Sequence, residues 1–331
     1  MAEQPELRSL KEGDVFTGFL LAQEVAFKTS ARGSEYLEVK LADATGDLKG
    51  FLWDLRAIEG DMDLVAADAF LKVKGQVSSY NGRTQLRLDK VRYAQDQEVG
   101  DFSRFFPTSQ RPAEEMLEEL DALVAGVGDP WIRRLLELLF VEDAALRAAF
   151  ARAPAAKSMH HVYLGGLLEH TLSVAGMAGL ACGHYPALNR DLVLAGVLLH
   201  DLGKTAELTY QRSFGYSDAG NLVGHIALEA EWISRAAARI PDFPEALRLQ
   251  ILHIVLSHHG KLEFGSPVLP KTPEALLVHY LDDLDGKLEA MFRGIREDTG
   301  SGNWTPFSKS LDRMLYKPRW PASQSEAPRV E

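Results

Sequence analysis

The chain of 331 residues has a single cysteine, Cys182. That excludes a disulfide framework and makes a reducing cytoplasm the simplest setting to expect. No apolar run approaches the roughly 18–20 residues that a membrane-spanning helix needs. The opening MAEQPELRSLKEGD is polar and mixed in charge, so no secretory signal is expected there. Positive charge is in deficit: 36 Lys and Arg against 47 Asp and Glu leave a net charge of −11. A protein that holds nucleic acid by overall charge is therefore not expected, although a local basic stripe is compatible with this balance. The first 159 residues also lack histidine, and all ten histidines lie between His160 and His279. What is present, 46% hydrophobic and 25% charged residues, is globular composition with length enough for about two domains.

The histidine-free part reads as strands. Leu37, Val39 and Leu41 alternate with Tyr36, Glu38 and Lys40, and Leu71, Val73 and Val77 alternate with Lys72, Lys74 and Gln76. With Val15–Leu21, Leu48–Trp53 and Thr84–Tyr93, the last entered through an Asn81-Gly82 turn, five strands are predicted. A helix-like insert over Leu55–Ala67 completes the pattern of a small closed barrel, and an OB-fold fits that count. The period then becomes helical. Pro112-Ala-Glu-Glu opens one helix and Asp129-Pro130 caps another. Further helices are predicted at 162–181, 190–200, 223–239, 244–258 and 272–293, with a short hairpin over Thr209–Asn221. The expected organisation is a barrel over 1–100, a helical connector over 101–157, an all-α domain over 158–294 and a tail over 295–331.

Chemistry concentrates in the all-α part: His170, His200-Asp201, His225, His258-His259 and Asp282, each near a helix end or on an inner helix face. His200-Asp201 ends the apolar run LVLAGVLL. Two polar groups at the buried end of such a helix are costly unless something satisfies them, and a divalent metal would do so. Several imidazoles with two carboxylates exceed what one tetrahedral ion takes, so two ions about 3.5–4 Å apart are the economical expectation. Mn is the first choice, with Fe, Co, Ni or Zn accepted by the same ligand types.

The wording around these residues resembles the HD-domain phosphohydrolases, and within them the YhaM family. The resemblance rests on HHVYLGGLLEHTLSVA (160–175), HDLGK (200–204), GHI (224–226), SHHGKLEFGSP (257–267) and EALLVHYLDDLDGKL (274–288). It extends over nearly the whole chain, to a WTPF…Y tail. It implies a metal-dependent 3′-to-5′ exoribonuclease with an N-terminal OB-fold and a C-terminal HD domain. It also implies that His170, His200, Asp201 and Asp282 hold one ion. Asp201 would bridge to a second, held also by His225 and by His258 or His259, with His258 preferred and Asp285 the fallback for Asp282. Lys204 would sit beside the ions as a catalytic group and touch a phosphate oxygen. Metal-activated water would release nucleoside 5′-monophosphates from single-stranded RNA, with single-stranded DNA as a further substrate, and a homo-oligomer is implied. The cyclic-dinucleotide branch continues differently after its HH pair, whereas here Gly-Lys-Leu-Glu-Phe follows.

Outside the cluster, His161 precedes the helix of His170 and is the residue expected on the substrate path. Lys49, Phe51 and Trp53 alternate to one strand face, where aromatics stack bases; the bland alternative is packing in the core. Tyr80 and Arg83 flank the Asn81-Gly82 turn, where an OB-fold meets its ligand. The tail interleaves Lys309, Arg313 and Lys317 with Phe307 and Tyr316, and fits a strand guide, an oligomer contact or an apolar staple onto the helices.

Overall fold

Strand alternation closes the first part of the chain into a barrel. The computed structural model describes residues 4–31, 33–80, 83–100, 102–156, 161–210 and 214–317. Its strands are β1 (Val15–Thr29), β2 (Glu35–Asp43), β3 (Gly46–Leu52), the short β4 (Ile58–Glu59), β5 (Phe70–Tyr80) and β6 (Arg83–Tyr93). β1 pairs with β5 through its first half and with β2 through its second, with a register shift between Ala22 and Glu24 where it changes partner. β2 pairs with β3 and β5 with β6, all antiparallel. The parallel pairing of β3 with β6 closes the ring, so the five long strands run β1-β2-β3-β6-β5 and return to β1. This is the five-stranded OB closure expected from the sequence. Leu37, Val39, Leu41, Leu71, Val73 and Val77 all point into the barrel.

The helix-like reading of Leu55–Ala67 is corrected. The segment is two 3-10 turns, Leu55–Ala57 and Met62–Leu64, flanking β4. The Asp54 and Asp61 side chains accept hydrogen bonds from the Arg56 and Asp63 backbone N–H groups (3.1 and 3.0 Å). Such short-range bonding competes with a helix, and Gly60 at φ +89° ends any attempt at one.

After the barrel come α1 (Asp96–Val99), a 3-10 turn (Phe102–Phe105), α2 (Ala113–Ala125), α3 (Pro130–Phe140) and α4 (Ala144–Arg152). Asp129 caps α3 as its position before proline implies, accepting from Trp131 and Ile132 N–H. Leu21, Phe70, Ala94, Val99, Phe105, Phe106 and Leu164 form one buried cluster that joins the barrel to the helices.

The remaining helices are α5 (Gly166–His184), α6 (Arg190–Leu199), α7 (Lys204–Glu207), α8 (Asp218–Leu222), α9 (His225–Ala237), α10 (Glu245–Ser257) and α11 (Pro273–Glu297). Of the hairpin expected over Thr209–Asn221, two-residue strands β7 (Leu208–Thr209) and β8 (Gly215–Tyr216) make the first part, and its end is instead α8, capped by Ser217, whose side chain accepts from Gly220 N–H. In α6 every residue from Leu192 to Leu199 is buried. A helix apolar all round is a central one, and α5, α10 and α11 pack around it. Its end delivers His200 and Asp201 into the middle of the bundle. Among the described residues, no helix is long and apolar enough to cross a membrane.

Candidate metal centre

Five histidines turn one ring nitrogen away from the centre and anchor it. His200 Nδ1–H donates to Val197 O and His258 Nδ1–H to Val255 O, both at 2.7 Å, each within the last turn of its own helix. His259 Nδ1–H donates to Phe264 O (2.8 Å). His170 Nδ1–H donates to Asp285 (2.7 Å) and His225 Nδ1–H to Glu207 (2.9 Å). Such bonds fix the tautomer and leave Nε2 as a lone-pair donor, as metal-ligating imidazoles require.

The inward atoms form two groups. His170, His200, Asp201 and Asp282 bring one ligand atom each within 4.8 Å of one another, and so do His225, His258 and His259. Asp201 faces both. Its Oδ2 lies 3.4 Å from His200 Nε2 and 3.8 Å from His170 Nε2. Its Oδ1 lies 3.6 Å from His225 Nε2 and 3.7 Å from His258 Nε2. Asp282 Oδ1 lies 3.2 Å from His170 Nε2. His258 and His259 therefore face the same group, although adjacent side chains seldom share an ion. The two rings can face one group here because His258 caps the end of α10 while His259 lies beyond it.

The charges and orphaned atoms fit a divalent cation. Asp201 Oδ1, His225 Nε2 and His258 Nε2 are buried without a hydrogen-bond partner, an arrangement that costs energy unless something positive joins them. Burial opposes ionisation of Asp201 and Asp282. Lys204 and His200 outweigh it at Asp201, and His170 and His200 outweigh it at Asp282, so both carboxyls stay well below the usual range. Burial pushes His170 down, but Asp282 and Asp285 override it and hold the imidazole up at about 9, so positive charge is favoured at its Nε2 and a divalent cation there would take the place of the second ring proton. Burial, then repulsion from His259 at His258 and from His225 at His259, keeps both imidazoles below their ordinary value, so both are neutral donors. Lys204 Nζ donates to Asp201 Oδ2 (2.7 Å). Burial alone would discharge the amine, yet Asp201 and Asp282 hold its pKa up.

Two glycines are required by close approach. A Cβ on Gly203 would run into the His225 backbone carbonyl, so HDLGK needs glycine there to bring α9 against the His-Asp turn. Gly260 has φ +74° and packs against the ring of His279. That ring donates from Nδ1 to His258 O (2.8 Å).

The other predicted site residues lie elsewhere. His161 adopts φ +46° and is buried. Its Nε2 bonds Asp285 (3.1 Å) and its Nδ1 pairs with the Tyr163 hydroxyl (2.6 Å), which puts it behind His170, on the side of Asp285. Burial, then Glu169, pushes the Tyr163 phenol up, so it remains a donor. Asp285 does not replace Asp282 at the centre; it anchors the other nitrogen of His170, and Ser173 donates to it as well. Glu207 carried no signal in the sequence, since only the fold brings it to His225. On the barrel, Phe51 and Trp53 point outward while Leu52 points in, which removes them from the barrel core. Trp53 stacks on Tyr36 at 4.7 Å and neighbours Phe51 at 6.2 Å. Beside them a groove of about 590 Å³ is lined by Lys49, Phe51, Tyr80, Thr84 and Gln85. Lys28 and Lys49 share Glu38, whose carboxyl both lysines hold low. Arg83 opens β6, but its side chain, like the Asn81-Gly82 turn and His160, lies outside the described residues.

Residues 167–287 match the HD domain family. Over 308 residues the chain is 36% identical to the 3′-5′ exoribonuclease YhaM of Bacillus subtilis (strain 168), covering 92% of this chain and 96% of that one. The chain belongs to the YhaM family. Among solved structures it is similar to a replication protein A heterotrimer bound to single-stranded DNA, at 18% identity and a TM-score of 0.22 over 29% of this chain and 75% of that one. A second is the aspartyl tRNA synthetase from Entamoeba histolytica, at 9% identity and a TM-score of 0.25 over 76% and 57%. The barrel of this YhaM-family chain is established by its own strand closure, and the two candidate ligand groups lie wholly within the HD match.

Proposed function

We propose that the protein is a metal-dependent 3′-to-5′ exoribonuclease that hydrolyses single-stranded RNA, with single-stranded DNA as a further substrate. One observation carries the reading: in a chain of the YhaM family, the two oxygens of Asp201 are divided between two groups of histidines. His170, His200, Asp201 and Asp282 would hold one divalent ion, and Asp201 with His225, His258 and His259 a second. Manganese is the ion we assign, although the same donors accept iron, cobalt, nickel or zinc. A bound pair of such ions lowers the pKa of water and neutralises a phosphoryl group.

The side chains do the rest. Asp201 orients both groups and holds the Lys204 ammonium at the edge of the centre, where it stabilises charge developing on the phosphate. Water adds across the terminal P–O3′ bond: its oxygen joins phosphorus and its proton leaves with O3′. The product is a nucleoside 5′-monophosphate. On the barrel, Tyr36, Phe51 and Trp53 offer stacking faces for bases, worth about 1–3 kcal/mol each. Tyr80 borders the same groove. The β2–β3 face is where OB-folds take oligonucleotides.

The free Cys182, whose thiol burial pushes up, suits a reducing compartment, and we place the enzyme in the cytoplasm. A homo-oligomer is part of the same reading, and sedimentation tests it. The activity is tested with a 5′-labelled oligoribonucleotide and Mn²⁺. A descending ladder ending in short oligomers is expected. Hydrolysis of free nucleotides beside an intact oligomer would replace this reading with a small-molecule phosphohydrolase.

A further inference from the structure

We infer that the tip of a C-terminal hairpin, Ser310 and Leu311, forms the wall that ends the strand path at the metal centre and so confines hydrolysis to the last nucleotide. The inference rests on the nuclease reading and adds the reason why cutting starts from an end. Residues 303–317 fold back on themselves. Lys317 N–H donates to Asn303 O (2.7 Å), Thr305 N–H to Leu315 O (2.9 Å), and Ser308 and Arg313 exchange backbone bonds at 2.9 and 3.3 Å. This leaves Lys309–Asp312 as the turn, with Asp312 at φ +52°.

The hairpin is fastened to α11 at two points. Leu311 and Leu315 are buried with Ala290, against Met291 and Ile295. Lys317 Nζ bonds the Asp298 carboxylate and Gly300 O. Gly294 lets Leu315 come close, since a Cβ there would press on its methyl at 3.2 Å. The tip is therefore held in place by the same helix that carries Asp282.

Its position has a steric consequence. Ser310 and Leu311 line a cavity of about 250 Å³ together with Lys204, His259, Phe264 and Asp282. That is below the roughly 300–1,000 Å³ of pockets that take drug-sized ligands. A strand running across the ions needs room on both sides of the scissile phosphate. In this reading the last nucleotide alone occupies the cavity, with Ser310 and Leu311 in its lining and Phe264, 55% exposed, at its border.

The test uses the full chain, Mn²⁺, and one oligoribonucleotide sequence in two forms, 5′-labelled linear and ligated into a circle. Replacing Lys309–Asp312 by Asn-Gly keeps a hairpin turn while removing the wall. The wild type is expected to shorten the linear form and leave the circle intact. The short-tip variant is expected to open the circle, raising the circle-to-linear rate ratio by roughly tenfold or more. A second variant, Ser310→Trp, fills the cavity from an exposed position. It is expected to slow linear digestion with metal content unchanged. The wall is overturned if the circle resists the short-tip variant while linear digestion persists. It is equally overturned if Ser310→Trp digests linear RNA at the wild-type rate, or if the wild type opens circles as fast as it shortens linear chains. A wild type inert on linear RNA overturns the nuclease reading itself, and the wall with it.

Discussion

Glu207 provides a way to separate the two proposed ion sites. Its Oε1 accepts from His225 at Nδ1 (2.9 Å) and at the backbone N (3.1 Å), and the side chain is buried. Burial pushes its carboxyl up, but the His225 bonds outweigh burial and hold it low, so the partner of His225 is a carboxylate. A hydrogen bond to a charged group is worth about 1.5–3 kcal/mol. Loss of an outer partner of a metal-ligating histidine costs about 10–100-fold in metal affinity, and at 1.4 kcal/mol per tenfold that is roughly 1.4–2.8 kcal/mol. The two figures agree. Glu207→Ala should therefore weaken one ion by about 10–100-fold. Glu207→Gln, which keeps an acceptor without its charge, should weaken it by less. The other ion shares only Asp201 with it and should move by less than either. The assay is metal content by mass spectrometry after dialysis against stepped, buffered Mn²⁺, with circular dichroism to confirm the fold. Wild type should titrate to two ions per chain and Glu207→Ala should pause at one. Simultaneous loss of both ions, or an unchanged titration, would falsify the division into two sites.

Three other outcomes follow from the same geometry. Asp201→Asn removes charge from both groups and strands the Lys204 ammonium, so RNA hydrolysis should fall by at least about 10²–10³-fold, and unchanged hydrolysis in a pure preparation would exclude Asp201 from the centre. Trp53→Ala removes a stacking face worth about 1–3 kcal/mol, so KM for long RNA should rise several-fold while hydrolysis of very short oligomers is unaffected; equal effects on both lengths would place Trp53 outside the strand path. Glu98 is held down at about 2 by Arg92 and by the Gln95 N–H. Because its folded value is depressed, its contribution is complete above the ordinary value near 4.5 and disappears as pH falls towards 2. Thermal melting between those limits should then decline less steeply in Glu98→Gln than in wild type, and parallel curves would remove the Arg92–Glu98 pair from acid sensitivity.

Much of the architecture was legible because periodicity is local. Alternation at Leu37, Val39 and Leu41 placed β2, and the run LVLAGVLL marked α6 as a helix with a buried end; the structure puts it in the centre, as a helix apolar all round requires. The segment Leu55–Ala67 was misread because its helix-like pattern competes with two aspartates that bond their own neighbouring N–H groups, which is turn chemistry. Within the centre, HDLGK and the HH pair marked the ligand types. The spacing of Asp282 and Asp285 did not tell the ligand from its support, because residues three apart share a helix face. Only the angle at which α11 meets α5 puts Asp282 at Nε2 of His170 and Asp285 at Nδ1.

The sequence by itself determined most element types, Leu55–Ala67 apart, together with the histidine-rich half and the kinds of atom offered to a cation, because propensity, capping and side-chain chemistry act over a few residues. Tertiary structure set Asp201 between the two groups that the resemblance had implied, and it alone decided that Glu207 reaches His225 across 18 positions and that the hairpin over 303–317 borders the site. Those are distances between segments remote in sequence. They are set by how buried apolar faces pack against one another, which no local pattern encodes.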